Sequence, residues 1–241
     1  MEWEILLLLM AVGFGAGFVQ RVSGFGLGIF AMLFLPHFMP THTAAAAVSS
    51  LFACCTTTYN TARYRKDISF KTALPMMAAA AVSIPIAVHF SARVSGELFS
   101  YLLGGVLILL SIYFLFFNQR IKIKPTVGAG IISGTLGGVL GGMFSTGGPP
   151  VVLYLTQATP DKQVYFATIQ FYFFFTNWYA TANRAINGIL SWGIIIYAVI
   201  GMIGCMLGDL LGKLIFERLN SETVKKIIYI GMIISGILMF I

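Results

Sequence analysis

The chain has 241 residues, of which 58% are hydrophobic and 10% charged, and its mean hydropathy is +0.89, which excludes a soluble domain and describes an all-α polytopic membrane protein with the lipid bilayer as its first partner. The formal charge of +7 does not indicate a nucleic-acid partner, because the basic residues cluster in short connections between apolar runs, where they set orientation in a membrane. Cys54, Cys55 and Cys205 lie in apolar runs with no spacing for a disulfide framework or a zinc site.

In chain order, the N-terminus carries Glu2 and Glu4 where a secretory signal carries positive charge, so the first helix is expected to be retained. The first apolar run extends from Ile5 to Met39 and is interrupted by Gln20, Arg21 and the stretch Ser23-Gly24-Phe25-Gly26. Roughly 35 helical residues measure about 52 Å against a hydrocarbon core of about 30 Å. A long helix to Gln20, a turn over Arg21 to Gly26 and a shorter helix to His37 fit better, either as a re-entrant hairpin or as a discontinuous pair. Spans over Thr43–Asn60, Ala73–Phe90 and Leu98–Phe117 follow, and then a basic connector with Arg120, Lys122 and Lys124. The same order returns as Val127–Phe144, a break at Ser145-Thr146-Gly147-Gly148-Pro149-Pro150, a short helix over Val151–Leu155, and spans over Val164–Thr181, Leu190–Leu214 and Thr223–Ile241.

This return reads as an internal duplication. Ser23–Gly26 aligns with Ser145–Gly148, and Ser49, Thr56, Asn60 and Arg63 align with Gln170, Asn177, Thr181 and Arg184 at a nearly constant offset. Residues 1–120 form the first repeat and 121–241 the second, together one transmembrane domain. Counting each hairpin as two elements inverts the halves in the membrane. Twelve Lys and Arg between Arg63 and Lys226 then fall on one side, against Arg93 and Arg184 on the other. The N-terminus is expected outside and the Arg120 connector in the cytoplasm.

Breaks inside apolar runs free backbone groups that lipid cannot satisfy, so they survive only where protein buries them or a polar cavity meets them. Each break here opens a helix. Pro149 and Pro150 suit a first helical turn, with Ser145 or Thr146 as the N-cap. Facing helix N-termini with close-approaching glycines make a site for a small anion, and paired broken helices in inverted repeats place such a site near the midplane. Arg21 is the basic residue well inside an apolar run; it either binds substrate or ties down the break. Gln170, Asn177 and Thr181 share one helix face, and either line a cavity or hold helices together. Gly137, Gly138, Gly141 and Gly142 have the spacing of close helix packing. Asp209 lies deep in a span with Lys213 one turn on, which reads as an ion pair, with a proton carrier as the alternative.

The sequence GFVQRVSGFGLGIFAM, its counterpart GGVLGGMFSTGGPPVVLYL, and the openings Ile68-Ser69-Phe70 and Leu190-Ser191-Trp192 resemble the sulfite exporter TauE/SafE family, also called the toluene sulfonate uptake permease family. The resemblance covers essentially the whole chain. It implies a multi-pass inner-membrane transporter, an exporter, for small organosulfur anions such as sulfite, sulfoacetate or other sulfonates. The expected substrate residues are Gln20, Arg21, Ser23, Gly24, Phe25, Gly26, Ser145, Thr146, Gly147, Gly148, Gln170 and Asn177, with no catalytic residue, metal or cofactor. A homodimer is one assembly state open to such a protein, and the proton one coupling ion. A passive anion channel using the same helix ends is the alternative function. An intramembrane serine protease centred on Ser145 needs a histidine base, and His37, His42 and His89 all precede it near span ends.

Overall fold

Helices satisfy their own backbone groups, which is what an apolar medium demands, and among the described residues the chain forms ten helices and no strand. The computed structural model describes residues 3–117, 124–215 and 221–240, apart from the side chains of Ser23, Phe117, Ile215 and residues 221–228. Glu2 and the topology charges Arg120, Lys122 and Arg218 lie outside the described residues, as do the side chains of Lys225 and Lys226.

The helices are α1 (Trp3–Ser23), α2 (Leu27–Phe34, continued by a 3-10 turn at Leu35–His37), α3 (His42–Arg63), α4 (Phe70–Ser91) and α5 (Gly96–Ile112, ending in a wider turn over Tyr113–Phe117). They continue as α6 (Val127–Phe144), α7 (Gly148–Ala158), α8 (Lys162–Ile186), α9 (Trp192–Ile215) and α10 (Ser221–Leu238). The starts of α3, α5, α6 and α8 are capped by Thr41, Ser95, Thr126 and Asp161, whose side chains accept from backbone N–H groups of the first turn.

The first break begins later than the expected turn at Arg21. The Gly24 N–H reaches the Gln20 carbonyl at 2.8 Å, which carries α1 through Arg21, and the chain turns only where Gly24 and Gly26 take positive φ values of 79° and 97°. At both breaks the chain doubles back as a hairpin rather than running on along the line of the first helix. Phe30 on α2 lies back against Gly15 on α1. On the second hairpin the Ser133 hydroxyl of α6 donates to the Pro150 carbonyl of α7 at 2.8 Å, and Tyr154 lies against Gly130. With 8 and 11 residues, α2 and α7 rise about 12 and 16 Å, close to half a hydrocarbon core.

Five helices, α1, α4, α5, α6 and α9, are long and apolar enough to cross a membrane, and they turn residues such as Val82, Ile86, Leu109 and Ile132 outward. Two further long helices outside that set, α3 and α8, pack against each other in the interior. Their inward faces bury Ser49, Ser50, Thr56, Thr57 and Asn60, and Thr168, Gln170, Thr176, Thr181 and Arg184. Their polarity is therefore screened from lipid by the outer helices. The closest seams run between α1 and α9 and between α4 and α6, and α5 packs on α10. Small residues make them close: a Cβ on Gly17 would lie 2.0 Å from the Cys205 carbonyl oxygen, and one on Gly134 would lie 2.2 Å from that of Met76.

Candidate functional site

At the first break α2 starts at Gly26 with no capping side chain of its own. Instead Gln20, from the preceding helix, accepts the Leu27 N–H on its Oε1 at 3.3 Å. Its amide donates to Gln170 on α8 at 3.5 Å, and Gln170 donates to the Gly24 carbonyl at 3.1 Å. Both glutamines are buried, at 3% and 0% exposure, so α1, α2 and α8 are locked together by a polar network in which each amide has a partner.

At the second break Ser145 takes a left-handed conformation, φ 60°, and closes α6 with its N–H on the Gly141 carbonyl. The cap of α7 is Gly147, with no side-chain hydrogen bond, so neither Ser145 nor Thr146 is the expected N-cap. Pro149 and Pro150 do occupy the first turn. Freed from capping, the Ser145 hydroxyl meets that of Ser50 on α3 at 3.1 Å, while the Thr146 hydroxyl, on a residue 1% exposed, has no hydrogen-bond partner among the described residues.

The two breaks meet. A Cβ on Gly28 would lie 1.7 Å from the Ser145 carbonyl oxygen, and the Phe25 ring packs on Gly148. Around this junction lies a cavity of about 40 Å³ lined by Gln20, Gly26, Gly28, Ser145, Thr146, Gly147, Gly148, Thr176 and Asn177, with Tyr172 and Phe173 forming an aromatic wall. Its volume admits a few waters or one small ion. Of the expected substrate residues, Gln20, Gly26, Ser145, Thr146, Gly147, Gly148 and Asn177 line the cavity. Gln170 stands directly behind Gln20. Gly24, Phe25 and Arg21 do not line it, and the Ser23 side chain lies outside the described residues.

Arg21 instead sits on the side of α3's C-terminal end. It donates to Asn60 Oδ1 at 3.2 Å and to the Tyr64 hydroxyl at 3.4 Å, covers the Phe166 ring, and faces Asp209 Oδ2 at 4.0 Å. Asp209 therefore pairs across to α1 rather than with Lys213 on its own helix, whose side chain is exposed. Burial pushes the nearby Tyr64 phenol up, but the guanidiniums of Arg21 and Arg63 more than offset this and leave it below its ordinary value.

On the opposite side of the cavity stands a residue the sequence reading placed among the topology charges of an outer connection. Arg184 lies inside α8 and is 1% exposed. It donates to the Ser50 hydroxyl and to the carbonyls of Gly141, at 3.1 Å, and Gly142, at 2.8 Å. One signal for it was present: Arg184 follows Asn177 by seven residues and Gln170 by fourteen, which continues the polar face of α8.

The family model for Sulfite exporter TauE/SafE matches residues 9–239 of the chain. Comparison with curated proteins and with solved structures returns no match.

Proposed function

The chain belongs to the sulfite exporter TauE/SafE family, a family of membrane transporters, and from that premise we propose that it is a secondary transporter exporting small organosulfur anions such as sulfite, sulfoacetate or other sulfonates. The observation that carries this reading is the junction of the two breaks, where the uncapped start of α7, close backbone and the Thr146 hydroxyl, unpartnered among the described residues, surround one small polar cavity. Helix N-termini and free hydroxyls favour an anion with several oxygens.

The mechanism proposed is alternating access by two inverted repeats, residues 1–120 and 121–241. Supporting it, the order of helix lengths recurs in both halves, and exchanging the halves maps the α1–α9 seam onto the α6–α4 seam and the α3–α9 contact onto α8–α4. Layers of bonded side chains flank the cavity on both sides, Arg21 with Asn60, Tyr64 and Asp209 on one and Arg184 with Ser50 and Ser145 on the other. Two such layers favour a carrier over an open channel. The proposed location is the inner membrane with the N-terminus outside, as the charge asymmetry favours.

Thermal stability of the purified protein against sulfite, sulfate, sulfoacetate, taurine, isethionate, acetate and chloride tests the substrate class. A ligand of the folded state stabilises by about 2.7 kcal/mol at 100 times Kd. A shift selective for sulfite or a sulfonate is the expected outcome, and equal shifts with chloride and acetate would contradict it.

A further inference from the structure

Arg184 is among the largest fully buried side chains of the described residues, and no carboxylate among them pairs with it. A buried guanidinium is costly unless its charge is met. Arg21, the other basic residue of the interior, shows the ordinary solution in its ion pair with Asp209. Arg184 has only neutral partners. The carbonyls of Gly141 and Gly142 close the end of α6, where the helix dipole favours a cation, and this accounts for one side of its fork. The other side points elsewhere, to Ser50.

Arginine only donates, so Ser50 accepts from it and the Ser50 proton needs an acceptor of its own. Ser145 Oγ at 3.1 Å is the recorded one. With Ser50 donating to it, Ser145 keeps its own O–H free, and Ser145 lines the cavity. Hydrogen bonds polarised in one direction strengthen one another, so the chain from Arg184 through Ser50 to Ser145 delivers positive character to the cavity wall. The relay also has a position along the path. A second recess of about 380 Å³ lies beyond it, lined by Thr41, Thr43, Ala44, Ala92, Asn187 and Ser191. On α8, Arg184 falls between Asn177 at the cavity and Asn187 at the recess; on α3, Ser50 falls between Ala53 and Ala44.

We propose that Arg184 supplies the charge that selects the anion, acting through Ser50 and Ser145 at the boundary between the recess and the cavity. The proposal rests on the anion-carrier reading above. Arg184 is a positioning residue here: the hydroxyl of Ser145 makes the contact, and Arg184 sets its direction and polarity.

The test measures apparent affinities of the purified full-length protein for sulfoacetate, which carries two negative charges, and isethionate, which carries one. Arg184→Gln is expected to weaken sulfoacetate binding by about tenfold to a hundredfold, the range of a charge-assisted hydrogen bond, and isethionate less, so that the preference for the dianion shrinks. Arg184→Lys should keep the preference at reduced affinity, and Ser50→Ala should weaken both ligands. A role confined to capping α6 predicts lower stability without ligand and an unchanged ratio between the two anions. That unchanged ratio in folded Arg184→Gln would overturn the proposal and leave the carrier reading standing. If the wild type binds neither these anions nor sulfite, both fall. Should Arg184→Gln not fold, wild-type affinities in both Arg184→Lys and Ser50→Ala would overturn the proposal.

Discussion

Replacing Gly28 by alanine perturbs the junction of the two breaks without adding or removing charge. The new Cβ would lie 1.7 Å from the Ser145 carbonyl oxygen, whereas ordinary contact begins at 3.4 Å, so the breaks must part by the same distance again, about 1.7 Å. The obstructing atom is backbone, held by the left-handed turn at Ser145 and by the α6 end that Arg184 grips, so it cannot swing aside as a side chain would. Overpacking of this kind costs about 1–3 kcal/mol, which for a chain of this size is a fall of roughly 2–12 °C in apparent Tm. The control is Gly105→Ala on α5, where an added Cβ meets nothing within 4 Å and helix propensity alone predicts a gain of about 0.5–1 kcal/mol. The assay is thermal unfolding of both variants in detergent, with and without the best-shifting anion. Gly28→Ala should lose stability and also the anion-induced shift. A Gly28→Ala protein as stable as Gly105→Ala and equally responsive to anion would refute the claim that the breaks form one tight junction around the site.

Thr146→Val removes a buried hydroxyl that has no partner among the described residues; relief of that unsatisfied group should raise ligand-free stability by about 1 kcal/mol while the anion-induced Tm shift shrinks, and a shift equal to wild type would take Thr146 out of the site. Arg21→Gln strands Asp209 beside it in the interior, which should cost about 3–5 kcal/mol, and the double change with Asp209→Asn should recover much of that; a double variant no more stable than Arg21→Gln, in equilibrium or kinetic unfolding, contradicts the pairing. Ser133→Ala deletes the bond to the Pro150 carbonyl and should lower stability by about 1 kcal/mol with anion affinity unchanged, a split between fold and site that isothermal titration and thermal unfolding together resolve.

Much of this architecture was legible because lipid makes a few local features costly. A run such as Val127–Phe144 has bounds that composition alone places, and α6 occupies those same residues. Ser145–Gly148 and Ser23–Gly26 stand out because glycine and serine clusters in an apolar run need a special reason to persist. What stayed hidden depends on distant partners. Whether each break kinks or doubles back is decided by contacts such as Ser133 with Pro150 and Phe30 with Gly15, which no local signal announces. Arg21 drew attention because its neighbours are apolar, yet its role turns on Asp209, far along the chain. Arg184 was overlooked for the converse reason. Asn183 and Asn187 flank it, so it reads as part of a polar connection, although the helix continues past it and turns its side chain into the interior.

The proposed mechanism carries an anion through the cavity where the two breaks meet. The most direct measurement is uptake of radiolabelled sulfite into proteoliposomes of the purified protein, with and without unlabelled sulfite trapped inside, for wild type and Thr146→Val. Saturable uptake accelerated by the trapped anion and reduced in Thr146→Val is the result this account predicts. Uptake that rises linearly with concentration, indifferent to trapped anion and to the substitution, would contradict it.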